Sequence, residues 1–480
     1  MPTLSVISGE GSADSTDPNI DGATYTRALA AYASSVDYQV LPEDVRERVP
    51  YLMLDGFGCG IYGSALEWST MMTDSVLALG SSGEASLWGV GKKVSADHAA
   101  LLNGSYVQGY EIDDYSRHGA LHACSLILPA ALGAATLRGT VTGAELIAAT
   151  VAGFEVGNRV GRCLGPTRLT KQGWHTGSVI GPMAAAAAAG NILGLNAEQM
   201  EHAFGIAATQ AGGLMSAGFG SMVKRMHHGR ASQSGLYAAA LANGGYTGIK
   251  AVFEQPYAGY CTTFTGSSDR FDLDALVDRL GTEYRTLETC IKPYASCAKV
   301  HVPLDALRAI RAQRPFELSE LAQIRVACTG STKTKVGWTY EGTGSATEAQ
   351  MNLSYGFAVF LLEGDAFVDQ YRAELLTSPD VLELTRKVIV EHDETFDALG
   401  EARRHHVNVE VELTDGTVMS EALDFALGSP SRPLSNDGIV DKYDKLVEGR
   451  AGTADEVKDL VVALDTLADV QPLQDALATA

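Results

Sequence analysis

A long stretch within Gln172 to Gln199 contains no Asp, Glu, Lys or Arg and centres on Met183-Ala-Ala-Ala-Ala-Ala-Ala-Gly190. So much uncharged chain must be buried, and it limits the folds available. Alanine and glycine contribute too little transfer free energy for a convincing membrane span. Small side chains instead let helices approach closely, so the segment predicts the central buried helix of an α-helical core. At 480 residues the chain exceeds one ordinary core, which predicts two domains or one large domain with an insertion. Its formal charge of −22 argues against nucleic acid or anionic membrane as partner and makes basic islands conspicuous.

From about Thr24 to Gly245 the signals are helical and strand signals are nearly absent. Thr142-Gly-Ala-Glu145 and Asn196-Ala-Glu-Gln199 read as capping boxes, and Asn243-Gly244 as a stop. The character changes between Tyr284 and Lys292. Beyond it, Leu321 to Cys328 alternates like a strand. His406 to Leu413, followed by Asp415-Gly416 and Thr417-Val-Met-Ser, reads as a hairpin. The C-terminal part is helical again. The expected fold class is therefore mainly α: an all-α domain from residues 23–286 plus 427–480, with a smaller α+β lid inserted at 287–426. Residues 1–22 are rich in Ser, Gly, Asp and Thr and lack a secretory signal, which predicts a disordered tail. The seven cysteines are odd in number, scattered and without a C-x-x-C pair. They predict reduced thiols and a cytoplasmic location, with a mitochondrial one also compatible.

The densest chemistry lies in Glu111-Ile-Asp-Asp-Tyr-Ser-Arg-His-Gly-Ala-Leu-His122, between two apolar runs that read as buried helices. Carboxylates and histidines at the edge of a core have shifted pKa values and can move protons near neutral pH. The plainer reading is a loop whose aspartates cap the next helix. Further islands are Gly173-Trp-His175-Thr-Gly, where a helix start favours neutral imidazole, and Lys224-Arg225-Met-His227-His228-Gly-Arg230, suited to a small polyanion. Lys292-Pro-Tyr-Ala-Ser-Cys297 sits where a lysine reaches an inter-domain cleft or is simply a solvated linker residue. Tyr355 lies on an apolar helix, where a tyrosine is more often core. His118 and His122 with a neighbouring aspartate have the makings of a metal site. H-E-x-x-H is missing, however, and Gly119 weakens the helix such spacing needs, so no metal is expected. Phosphate-loop and nucleophile-elbow motifs are absent.

Taken together, Glu111-Ile-Asp-Asp-Tyr with Leu121-His122-Ala-Cys-Ser-Leu-Ile-Leu-Pro, Gly173-Trp-His175, Met222-Val-Lys224-Arg225-Met-His-His228-Gly and Lys292-Pro-Tyr-Ala-Ser-Cys297 resemble the MmgE/PrpD family from about Thr24 to Leu473. The resemblance implies a helical domain built from both chain ends, an inserted lid, a homodimer, and catalysis without metal or organic cofactor. It implies decarboxylation of cis-aconitate, or a close tricarboxylate, to itaconate. The alternatives are dehydration of a 2-methylcitrate-like hydroxy acid or epimerisation of a dicarboxylate. Carried over by position, the catalytic set is Glu111, His122, His175, Lys224, Lys292 and Tyr355, with Asp114, Arg225, His228 and Cys297 toward the substrate. Either His122 or His175 is the proton donor. Glu111 stands where animal members carry Asp, Cys297 replaces a His of some members, and the loop from Tyr115 to His122 is slightly longer.

Overall fold

The computed structural model of the protein describes residues 24–219, 221–400, 403–450 and 452–480. The tail expected over residues 1–22 lies outside them. The described chain is mainly α-helical, as its patterning predicts. The uncharged stretch forms the alanine helix, Thr176–Ile192, whose residues Val179, Ile180 and Met183 to Ala189 have no exposed surface. It packs against Ala123–Arg138, Gly143–Leu164 and the basic helix, Val223–Asn243. Glycine allows this closeness: a Cβ on Gly181 would meet Leu126 Cδ2 at 2.4 Å. Among the described residues no helix is long and apolar enough to cross a membrane.

The basic helix also crosses Ala96–Val107 at a pair of glycines. A Cβ on Gly104 would lie 2.8 Å from Gly229 Cα, and one on Gly229 would lie 1.9 Å from the Leu101 carbonyl. The two backbones are therefore nearly in contact. This crossing carries the first turns of the basic helix, with Lys224, Arg225 and His228, over the end of Ala96–Val107 that leads into Glu111. Both capping boxes form, at Thr142 with Glu145 and at Asn196 with Gln199, each cap being worth about 1 kcal/mol. The basic helix ends at Asn243 with Gly244 as its cap.

Strands do occur in the first half, contrary to expectation. Ala85–Leu87 pairs antiparallel with Lys92–Val94 around Gly89 and Gly91, both at positive φ. Tyr115–Ser116 pairs with Thr289–Cys290. Two- and three-residue strands are too short to show a period of two. In the second half, Leu321–Cys328 is the strand predicted. It pairs parallel with Val388–His392 and antiparallel with Val407–Leu413, which completes the predicted hairpin with Val418–Leu423. Gly416, at φ 85°, makes the turn. The chain then returns: the helix Asn436–Val447 packs on Glu43–Ser64, and Gly58 leaves room for Tyr443.

Candidate active site

Glu111 follows a short 3-10 turn and takes a left-handed backbone conformation, φ 58°, ψ 28°, which turns its side chain toward the basic helix. Three cations meet its carboxylate. Lys224 Nζ donates to Oε1, Arg225 Nη1 donates to Oε1 at 3.0 Å, and Lys292 Nζ lies 3.5 Å from Oε2. Lys292 also donates to the Glu111 carbonyl at 3.1 Å, and the Arg225 guanidinium lies 5.6 Å from the centre of the Trp68 ring. Lys292 is 1% exposed, so it is no solvated linker residue. The ladder between Tyr115–Ser116 and Thr289–Cys290 fastens the segment before Lys292 to the Glu111–His122 loop. Burial pushes the Glu111 carboxyl up, but Lys224, Lys292 and Arg225 outweigh it and hold the group well below the usual carboxylate range. Glu111 is thus an ionised counter-ion, not a proton donor, in this arrangement.

Four imidazoles gather beside these charges. His122 precedes the helix Ala123–Arg138, and its ring centre lies 5.3 Å from that of His228. His175 precedes the alanine helix and lies 5.4 Å from His228 and 4.7 Å from His227. Ser125 Oγ donates to the His122 carbonyl at 2.8 Å and so receives Nδ1–H of His228 at 2.7 Å. The bare Nε2 of His228 faces Gly177, where a Cβ would intrude to 2.0 Å, which explains the glycine of the Trp-His-Thr-Gly run. Burial, then His227 and Lys224, push His175 down to about 3. Burial and the neighbouring histidines likewise hold His228 well below the ordinary imidazole range, and burial with Lys224 lowers His227. The helix start expected to favour neutral imidazole at His175 is present, but desolvation is the larger cause. His122 is different: its side chain is 25% exposed, and its Nδ1 stands 3.1 Å from Asp113 Oδ2.

The remaining expected residues are placed as follows. Asp114 accepts the N–H groups of Ala123 and Cys124 at 2.9 and 3.0 Å, the capping role of the plainer reading, and burial raises it to about 6. Cys297 is the N-cap of Ala298–Gln313. Its N–H donates to the Gln350 carbonyl, while the Gln350 side chain donates to the Tyr110 carbonyl next to Glu111. Tyr355 is not brought to the cations: it lies among Tyr340 and Tyr371, and its hydroxyl donates to the Gln370 carbonyl at 2.7 Å. Sequence reasoning weighed Asp113 as one carboxylate of the proton-handling stretch, as a helix cap or as a metal ligand, and His227 only as positive charge. It passed over Asp55 and Lys442, whose Nζ and Oδ1 atoms lie 2.5 Å apart behind Asp113. Asp113 was legible in the aspartate pair, whereas nothing local marks Asp55 or Lys442.

Comparison with known proteins identifies the family. Residues 27–272 match the MmgE/PrpD N-terminal domain and residues 294–466 the MmgE/PrpD C-terminal domain. The chain is 34% identical over 469 residues to a cis-aconitate decarboxylase of Aspergillus terreus, covering 94% of this chain and 95% of that protein. It is 34% identical over 475 residues to the cis-aconitate decarboxylase-like protein oryM of Aspergillus oryzae, covering 95% and 98%. To the cis-aconitate decarboxylase of Mus musculus it is 24% identical over 464 residues, covering 93% and 91%. The chain belongs to the MmgE/PrpD family.

Proposed function

We propose that the protein is a carboxy-lyase that converts cis-aconitate, or a close tricarboxylate, to itaconate or its analogue using its own side chains, without metal or organic cofactor. The observation that carries this reading is the convergence of Lys224, Arg225 and Lys292 on the single carboxylate of Glu111 beside the histidine group. Three cations against one anion leave surplus positive charge, the complement of a substrate with several carboxylates. The similarity to proteins named for cis-aconitate decarboxylation over nearly the whole chain points the same way.

In this reading the cations hold the two carboxylates that remain. The bond to the third breaks, its electron pair becomes the new C=C, and the former double bond takes up a proton at carbon. Positive charge beside the retained carboxylates stabilises the electron density that develops there. His122 delivers the proton, because His175 and His228 are held neutral by burial while His122 has a carboxylate partner and partial exposure. Residues 287–426 act as a lid that excludes water, and two copies of the chain form the active homodimer.

The purified protein is incubated separately with cis-aconitate, trans-aconitate and 2-methylcitrate, and CO₂ release and proton NMR are followed. CO₂ together with new methylene signals is the expected result with cis-aconitate and persists in EDTA. Aconitate-type products without CO₂ would assign a hydro-lyase instead, and inversion at carbon without loss of mass an epimerase.

A further inference from the structure

Behind His122 lies a second, acid-rich group that the reaction scheme leaves unused. Asp55, Asp113 and Asp114 have no exposed surface. Asp114 is occupied in capping the helix Ala123–Arg138. Asp55 is paired with Lys442, whose Nζ also donates to the carbonyl of Ile112 at 2.7 Å. Lys442 comes from the returning helix Asn436–Val447 and thereby fixes the backbone immediately before Asp113. The Asp113 oxygens and His122 Nδ1 are all buried and, among the described residues, make no well-aligned hydrogen bond; what they share is a 3.1 Å approach of Nδ1 to Oδ2. The charged groups that face Asp113 are Asp55, Asp114, His122 and Lys442, with Arg48 beyond on Asp55.

We propose that Asp113 is the positioning residue of His122: it receives Nδ1–H and fixes the ring, leaving Nε2 as the nitrogen that exchanges a proton with substrate, while Asp55 and Lys442 hold Asp113 in place. A buried carboxylate whose one ring partner is a histidine fixes both tautomer and orientation. Lys442 matters because it balances Asp55, so that two adjacent carboxylates do not both stand uncompensated in the core. The inference rests on the reading of His122 as proton donor, and the following experiment separates the two.

Nitrogen-15 histidine labelling of the wild-type protein reads the His122 tautomer without any substrate, with the signal assigned by its loss in His122→Asn. Protonated Nδ1 is expected; bare Nδ1 with protonated Nε2 overturns the proposal, whether or not any variant folds. In Asp113→Asn, kcat on cis-aconitate is expected to fall at least about a hundredfold. KM stays within about twofold, because the cations that bind the substrate are untouched, and the pH dependence of kcat changes shape. A folded Asp113→Asn protein with wild-type kcat and pH profile also overturns it. If the wild type turns over none of the acids offered, the functional reading fails, and the tautomer still decides the role of Asp113.

Discussion

At the scale of single residues, the site holds two separate groups of charge. Lys224, Arg225 and Lys292 meet at Glu111, whereas Asp113, with the Asp55–Lys442 pair near it, meets His122. Replacing His122 by Ala should lower kcat by about 10²-fold or more in a protein that still folds cooperatively, checked by CO₂ release and thermal denaturation. Lys224→Met removes a charge-assisted contact worth about 1.5–3 kcal/mol, so KM for cis-aconitate should rise at least tenfold in initial-rate measurements. Glu111, His122, His175, Lys224 and Lys292 were all legible as chemistry-bearing residues, because charge and imidazole stand out in an acidic chain. That Glu111 serves as counter-ion to the lysines was not legible, since its partners lie 113 and 181 positions away.

At the scale of elements, glycines decide where the helices cross, and the crossings decide where the functional groups meet. Gly177→Ala places a methyl against His228 Nε2, and Gly229→Ala places one against the Leu101 carbonyl. Each should cost about 1–3 kcal/mol, read as a lowered melting temperature. Gly177→Ala should additionally lower kcat by displacing His228. Strong local signals survived folding intact: both capping boxes, the Asn243-Gly244 stop, the strand Leu321–Cys328 and the hairpin turn at Asp415-Gly416 appear where the sequence puts them. The strand Tyr115–Ser116 did not announce itself. Its partner Thr289–Cys290 is remote, and pairing rather than periodicity defines it.

At the scale of the whole molecule, burial of ionisable groups ties stability to pH. His175 and His301, both lowered to about 3, with His118, His227, His228 and His405 also lowered, bind fewer protons folded than unfolded below the ordinary value of 6.5. Their contribution to stability is complete above about pH 6.5 and is lost as pH falls toward 3. Asp114, raised to about 6, acts in the opposite sense between 3.8 and 6, as do Asp55 and Glu155, but three carboxyls oppose six imidazoles. The melting temperature should therefore drop between pH 7 and pH 5, and a flat or rising profile by scanning calorimetry would contradict this balance. The amino-acid sequence by itself determined the mainly helical fold, the buried alanine helix and the residue types available for catalysis, because hydrophobic periodicity, caps and clustered charges are local properties. Only the tertiary structure decided that three cations share Glu111, that His122 alone among the gathered imidazoles faces a buried carboxylate, and that Lys442 from the returning helix stands behind it. Those outcomes depend on distance and desolvation, which packing sets and no local pattern records.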